Sequence, residues 1–399
     1  MDPHGPVAQR FPLIARFRPA CLPLPHRVHA LTELADTAAT TADQGLASTV
    51  YNQAALIASD LNLPELARHM CHRHAAAYLH ACPLPGMTAI RALEPVVNLA
   101  RLQIRAGHPD DGRRHLLALY DAISTGSAAD FEGITIPADI TANAEDRREV
   151  RAWLWRVLLA DGTRALTTAG RWADALAHVE KHRGIGQRML DGRQVAVLTA
   201  LTALTAGDTP TAEDLLTHTE PGTPSENAVT SCLTVLSRQA AGQPLHNRLQ
   251  DLVATYLDRA DEPGMTVFNT RLGLTILDAL ASPEDPAAHS VVAELHRRTT
   301  EMADGYAARE TFAHPLFTAL ATDRQAQDCR DLLHTCALGT GAFPADLHDR
   351  VKAALHISDR IIRNSVTTPA ERGRKSPLAG QRGGTTWNNP DEPTTVRGR

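Results

Sequence analysis

Ala169-Gly170-Arg171-Trp172-Ala173-Asp174-Ala175-Leu176 lies between two apolar-periodic runs, and its grammar returns along the chain. Gly170 follows a helical run, Trp172 comes two residues later and Ala175 five residues later. Ala-Gly recurs at 106–107, 206–207 and 241–242, each time between two helical patterns. Gly170, Gly207 and Gly242 are 37 and 35 residues apart, near the roughly 34-residue period of helix-turn-helix solenoids. Glycine ends a helix in the left-handed conformation without a Cβ clash. A small residue five positions on (Ala175, Ala212, or Ala67 after Asn62) lets the second helix lie close to the first. Val179, Leu216 or Cys71 then follows one turn further along the same face.

Working outward, the periodicity predicts helix pairs at 44–60 and 64–80, 88–106 and 109–124, 145–169 and 171–183, and 190–206 and 209–219. Further pairs follow at 225–241 and 244–260, 265–281 and 286–306, and 309–321 and 324–337. Asn62 suits a left-handed turn, and Pro64 suits the first position of the next helix. Residues 125–144, with Gly126, Gly133 and Pro137, read as an insertion. Six prolines make 1–27 an irregular leader, expected to pack over the first helix through Phe11, Leu13 and Ile14, with helical patterning from Val28. A last helix, 344–364, is expected to cap the array with a polar face. The expectation for 28–365 is thus an all-α, right-handed solenoid of about seven helix pairs. Residues 366–399 have too few apolar side chains to offset their ordering entropy and read as a disordered tail.

Composition narrows the function classes. The net charge is −5, and residues from 370 onward carry six basic against three acidic side chains, leaving −8 on residues 1–369. An acidic body argues against a general nucleic-acid binder. Positive charge is carried by arginine, since Lys181, Lys352 and Lys375 are the only lysines. Cys21, Cys71, Cys82, Cys232, Cys329 and Cys336 follow no regular framework, so reduced thiols in the cytoplasm are expected. No segment approaches the roughly 20 apolar residues of a membrane span; Leu190–Ala206 comes nearest and is interrupted by Asp191, Arg193 and Gln194.

The turn pattern resembles the tetratricopeptide repeat, best over Leu166–His182 and again over Asn98–Leu119, where Asn98-Leu99-Ala100 precedes Gly107. Gly112 stands where the family has alanine after Gly107, and Asn247 stands there after Gly242. The arginine- and alanine-rich composition and Val50–Asp60 also resemble actinobacterial helical proteins that are often linked to regulators. The resemblance implies that first helices line a concave groove where peptides bind. Counting back nine and six residues from the turn glycine gives Asn98 and Arg101, Asp161 and Arg164, Leu198 and Leu201, then Leu233 and Leu236. Arginines there would grip a carboxylate bidentately and Asn98 would satisfy a peptide backbone, giving a groove polar at one end and apolar at the other. Solvated arginines and core leucines are the alternative.

Other candidates carry weaker signals. His69, Cys71, His72, His74 and Cys82 invite a zinc reading, but no CxxC or HExxH spacing completes a ligand set. Gly184-Ile185-Gly186 follows a helix, not the strand a phosphate loop needs. Trp153 and Trp155 face different sides of one helix, and Trp172 is expected to pack between helices. The expectation is a non-catalytic protein- or peptide-binding scaffold without cofactor or metal. Its rivals are a signal-sensing regulator lacking its own DNA-binding domain and an enzyme or metalloprotein with a site near 69–82.

Overall fold

The computed structural model describes residues 1–203 and 208–367; Gly207 and residues 368–399, the bulk of the expected tail, lie outside them. The described residues are mostly helical. A short α1 (Pro6–Arg10) precedes α2 (Leu24–Thr41), α3 (Gln44–Asp60), α4 (Pro64–Leu79), α5 (Gly86–Arg105) and α6 (Pro109–Thr125). The insertion is an antiparallel hairpin of β1 (Ala129–Phe131) and β2 (Ile134–Ile136), with Asp130 opposite Thr135. Then come α7 (Ala144–Val157), a widened π-helical turn at Leu158–Gly162, α8 (Thr163–Thr168) and α9 (Trp172–Lys181).

The second half continues with α10 (Asp191–Leu201), α11 (Thr209–Thr217), α12 (Pro224–Ala240), α13 (His246–Leu257), α14 (Thr266–Leu280) and α15 (Pro286–Glu301). The first member of the seventh pair is broken by His314-Pro315 into α16 (Gly305–Phe312) and α17 (Pro315–Leu320). Two helices follow, α18 (Asp323–Cys336) and α19 (Ala345–Thr367), the latter carrying Val366 and Thr367 that the sequence places in the tail.

The turn chemistry works as its residue types dictate. Gly107, Gly170 and Gly242 have φ of 86°, 69° and 66°, and Asn62 has φ of 61°. Ala67, Ala175 and Ala212 are fully buried where their helices meet the partner. Gly112 makes an even closer approach than alanine allows: a Cβ there would sit 2.6 Å from the Ala100 carbonyl oxygen. Asn247, by contrast, is exposed, so α13 departs from the pattern.

Two expectations about the ends are corrected. The leader does not pack over the first helix: Phe11 and Leu13 belong to the apolar core of α8–α15, and Ala8 in α1 joins them. Residues 11–23, between α1 and α2, form neither helix nor strand, so their backbone groups need partners outside the segment, and the later helices supply several of them. The last helix does not cap the seventh pair. It returns to the beginning and packs against α2, α3 and α4, placing Leu347, Val351, Ala354, Leu355 and Ile362 in the first core. That core spans Leu24–Leu158 plus α19, and the second runs from Leu166 to Cys329 with the leader. A small third cluster (Cys21, Val267, Tyr306 and Cys336) joins leader, α14, α16 and α18.

Candidate functional site

The leader runs along first helices. Gln9 Nε2 donates to the Thr167 carbonyl in α8 at 3.5 Å, and Arg10 pairs with Asp278 in α14. Leu13 is gripped by Gln194 in α10, Arg16 pairs with Asp191 at 2.9 Å, and the Cys21 N–H donates to Asp304, the N-cap of α16, at 3.1 Å. Two second helices join from the other layer: Trp172, opening α9, donates from Nε1 to the Pro3 carbonyl at 3.1 Å, and Cys336, ending α18, donates from Sγ to the Cys21 carbonyl at 2.9 Å. The short helix α1 packs on both α8 and α14, first helices three pairs apart. The helix α1 thus bridges α8 and α14 within the second core.

Three of the six groove residues read from sequence are brought together. Arg101 donates to Asp161 from Nε at 2.9 Å and from Nη2 at 2.7 Å, and from Nη1 to Asn98 Oδ1 at 3.1 Å. Asp161 sits in the widened helical turn 158–162, a departure from α-geometry that is frequent at functional sites. Asn98 Nδ2 donates to Asn52 Oδ1 at 3.0 Å, and Asn52 Nδ2 donates to Glu94 Oε2 at 2.7 Å. Asn52, Asn98, Arg101 and Arg105 line a small recess of about 30 Å³, with Leu56, Leu102 and Cys71 as its apolar part.

Arg164 stands apart from that network. Its side chain is exposed, and among the described residues no acceptor lies within hydrogen-bond distance of its guanidinium. Desolvation by surrounding protein, and then the charges of Arg271, Arg18 and Arg16, hold it down at about 10, with Asp161 pulling upward. Arg271 forms a two-pronged pair with Glu310, and Arg18 lies 4.1 Å from the centre of the Tyr306 ring.

Leu198 and Leu201 do not continue this polar surface as expected. Both are fully buried in the second core, as are Leu233 and, nearly so, Leu236. These leucines share the second core with Ala8, Phe11 and Leu13 of the leader. The Leu201 carbonyl instead accepts a hydrogen bond from the Met1 nitrogen at 2.9 Å.

A serine, a histidine and a carboxylate meet at Ser48, His74 and Glu94, but not in a nucleophile's arrangement. Ser48 Oγ lies 2.9 Å from His74 Nε2 and 3.3 Å from Glu94 Oε2, so the hydroxyl stands between base and acid. A general base for serine needs the carboxylate on its far nitrogen. All three are buried, which pushes His74 down to about 3 and raises the Glu94 carboxyl. His74 also stacks on Tyr51 at 4.8 Å between ring centres, a packing role. His69 is exposed and His72 half-buried, Cys71 is buried with its thiol raised to about 12, and Cys82 is half-buried. Among the described residues no three metal-ligating side chains converge.

The residues that hold the leader were missed by sequence reasoning. Gln194 is the clearest: a glutamine inside the apolar run 190–206 announces a buried polar partner. Against known proteins, no family model, no curated protein and no solved structure matches this chain. No helix among the described residues is long and apolar enough to cross a membrane.

Proposed function

We propose that this protein is a non-catalytic peptide- or protein-binding scaffold of the cytoplasm, built on a right-handed solenoid of tetratricopeptide-like pairs. One observation carries the reading: first helices already hold an extended segment, the chain's own leader, by its backbone. Extended peptides present N–H and C=O groups whatever their sequence, and Gln194 and Asp304 satisfy such groups at Leu13 and Cys21. Asn98, Arg101, Asp161 and Arg164 form the polar end of the same surface. Arg164 offers an unengaged guanidinium there to a ligand carboxylate. A regulatory role follows if the leader and a partner compete for one groove.

The test uses a labelled synthetic peptide of residues 5–22 and the full chain carrying Phe11→Ala and Leu13→Ala, with folding checked by circular dichroism. Saturable binding in trans is expected, weakened about tenfold when Gln194→Ala is added, since one or two hydrogen bonds are lost. No saturable binding at millimolar peptide, or binding indifferent to Gln194, would overturn the reading.

A further inference from the structure

Cys71, Cys232 and Cys329 are each buried without a thiol neighbour, and burial raises their thiols to about 12, about 12 and about 11. Cys21 and Cys336 differ. Far apart in sequence, they meet in one buried cluster where the leader reaches the end of α18. Cys336 Sγ also lies 2.9 Å from the Cys21 carbonyl oxygen, and both residues are closed to solvent.

The surroundings fix this meeting from three sides. The Cys21 N–H donates to Asp304, and the Cys21 carbonyl accepts from the Gly305 N–H at 2.9 Å. Gly305 admits Cys336: a Cβ there would stand 2.8 Å from both Cβ and Sγ of that cysteine. Arg27 donates to the Cys336 carbonyl at 3.2 Å while pairing with Asp60 at 2.8 Å.

We propose that Cys21 and Cys336 form an oxidisable dithiol site, which a peroxide closes to a disulfide that staples the leader to α18. The hydrogen bond from Cys21, and then the Arg27 charge, hold the Cys336 thiol below its ordinary range despite burial and Asp304. The same hydrogen bond, and then burial, hold Cys21 above that range against the Arg27 charge, with Asp60 adding to the rise. Cys336 is therefore the first nucleophile. Its thiolate attacks one peroxide oxygen, the O–O bond breaks, and a sulfenic acid and one water form once a proton is taken up. Cys21, losing its proton, attacks the sulfenyl sulfur and expels hydroxide, which leaves as the second water. Two thiols and one hydrogen peroxide thus give one disulfide and two waters. Entry needs only a local lifting of residues 17–22, where Phe17 and Leu22 already face solvent. The site does not depend on the binding proposal.

The experiment treats the full chain with one and three equivalents of hydrogen peroxide, then maps non-reduced peptides by mass spectrometry. A Cys21–Cys336 cross-link is expected as the dominant product, with a melting midpoint raised by roughly 5 °C and restored by dithiothreitol. In Cys21→Ser, with folding checked by circular dichroism, peroxide should leave Cys336 as a sulfenic acid that dimedone traps, with no rise in midpoint. Absence of the cross-link in the wild-type chain, including after peroxide treatment in mild urea that loosens the leader, overturns the proposal. A dominant disulfide between any other pair overturns it as well.

Discussion

Gln194 holds Leu13 by both of its backbone atoms: its Oε1 accepts from the Leu13 N–H at 2.7 Å, and its Nε2 donates to the Leu13 carbonyl at 2.8 Å. A side-chain amide here replaces the neighbouring strand that an extended residue would otherwise need. Gln194 has no exposed surface and Leu13 is 2% exposed, so water cannot stand in for either bond.

Replacing Gln194 with leucine therefore leaves one buried donor and one buried acceptor unpaired. Each such group costs about 1–3 kcal/mol, so Gln194→Leu is expected to lower stability by about 2–6 kcal/mol in urea unfolding and to open residues 1–20 to proteases first. Unchanged stability would mean that the leader detaches in solution.

Arg101 and Arg164 should behave oppositely although sequence places them at matching positions. Arg101 and Asp161 have side chains 21% and 19% exposed, so their pair is better shielded than surface ion pairs, which are worth ~0–1 kcal/mol. A double-mutant cycle with Arg101→Ala and Asp161→Ala should give a coupling of about 1 kcal/mol or more. Arg164→Ala removes a charge repelled by three arginines and should leave the unfolding midpoint unchanged or slightly raised. A fall equal to that of Arg101→Ala would contradict this arrangement.

Gly112→Ala is expected to destabilise, although alanine has the higher helix propensity and is the residue the family pattern calls for. The propensity gain is about 1 kcal/mol, but the added Cβ would meet the Ala100 carbonyl at 2.6 Å and the Ile104 side chain at 2.5 Å. Overpacking against backbone typically costs about 1–3 kcal/mol, and a net loss in melting midpoint is the expected reading. Ala175→Leu, at a fully buried crossing, should lose a comparable amount.

Acidification should weaken the fold before carboxylates titrate. His74 is held neutral by burial, with a folded value of about 3 against an ordinary 6.5, and His115 and His178 are lowered to about 4. Between those values the unfolded chain binds more protons, so stability falls as pH drops below 6.5. His74 alone should cost about 2 kcal/mol between pH 7 and pH 5. Glu94, with its carboxyl raised, acts in the opposite sense. Urea midpoints at the two pH values check this, and His74→Phe should flatten the dependence.

The helix pairs were legible because their signals are local. Gly170, Gly242 and Asn62 need left-handed backbone, prolines open the next helices, and apolar spacing marks buried faces. The polar cluster of Asn98, Arg101 and Asp161 was legible for the same reason, since equal offsets from two turns put the residues on neighbouring helix faces. The ends were not. That Leu13 meets Gln194, or that Val351 joins the core of α2 and α3, depends on how far the array curves over some 300 residues, which no local period encodes. Leu198 and Leu201 were placed by the same offset as Arg101 and Arg164, yet burial of apolar surface puts them in the core.

The clasp between α19 and α2 bears on how the chain matures at the ribosome. Helices α2 and α3 emerge early, but the apolar faces that Leu347, Val351, Leu355 and Ile362 cover stay bare until nearly the last described residue has been made. A nascent chain must carry that sticky surface until α19 has been made, a natural point of engagement for chaperones. A ribosome that stalls before α19 would release a product whose amino-terminal half lacks part of its core, which marks truncated copies for removal.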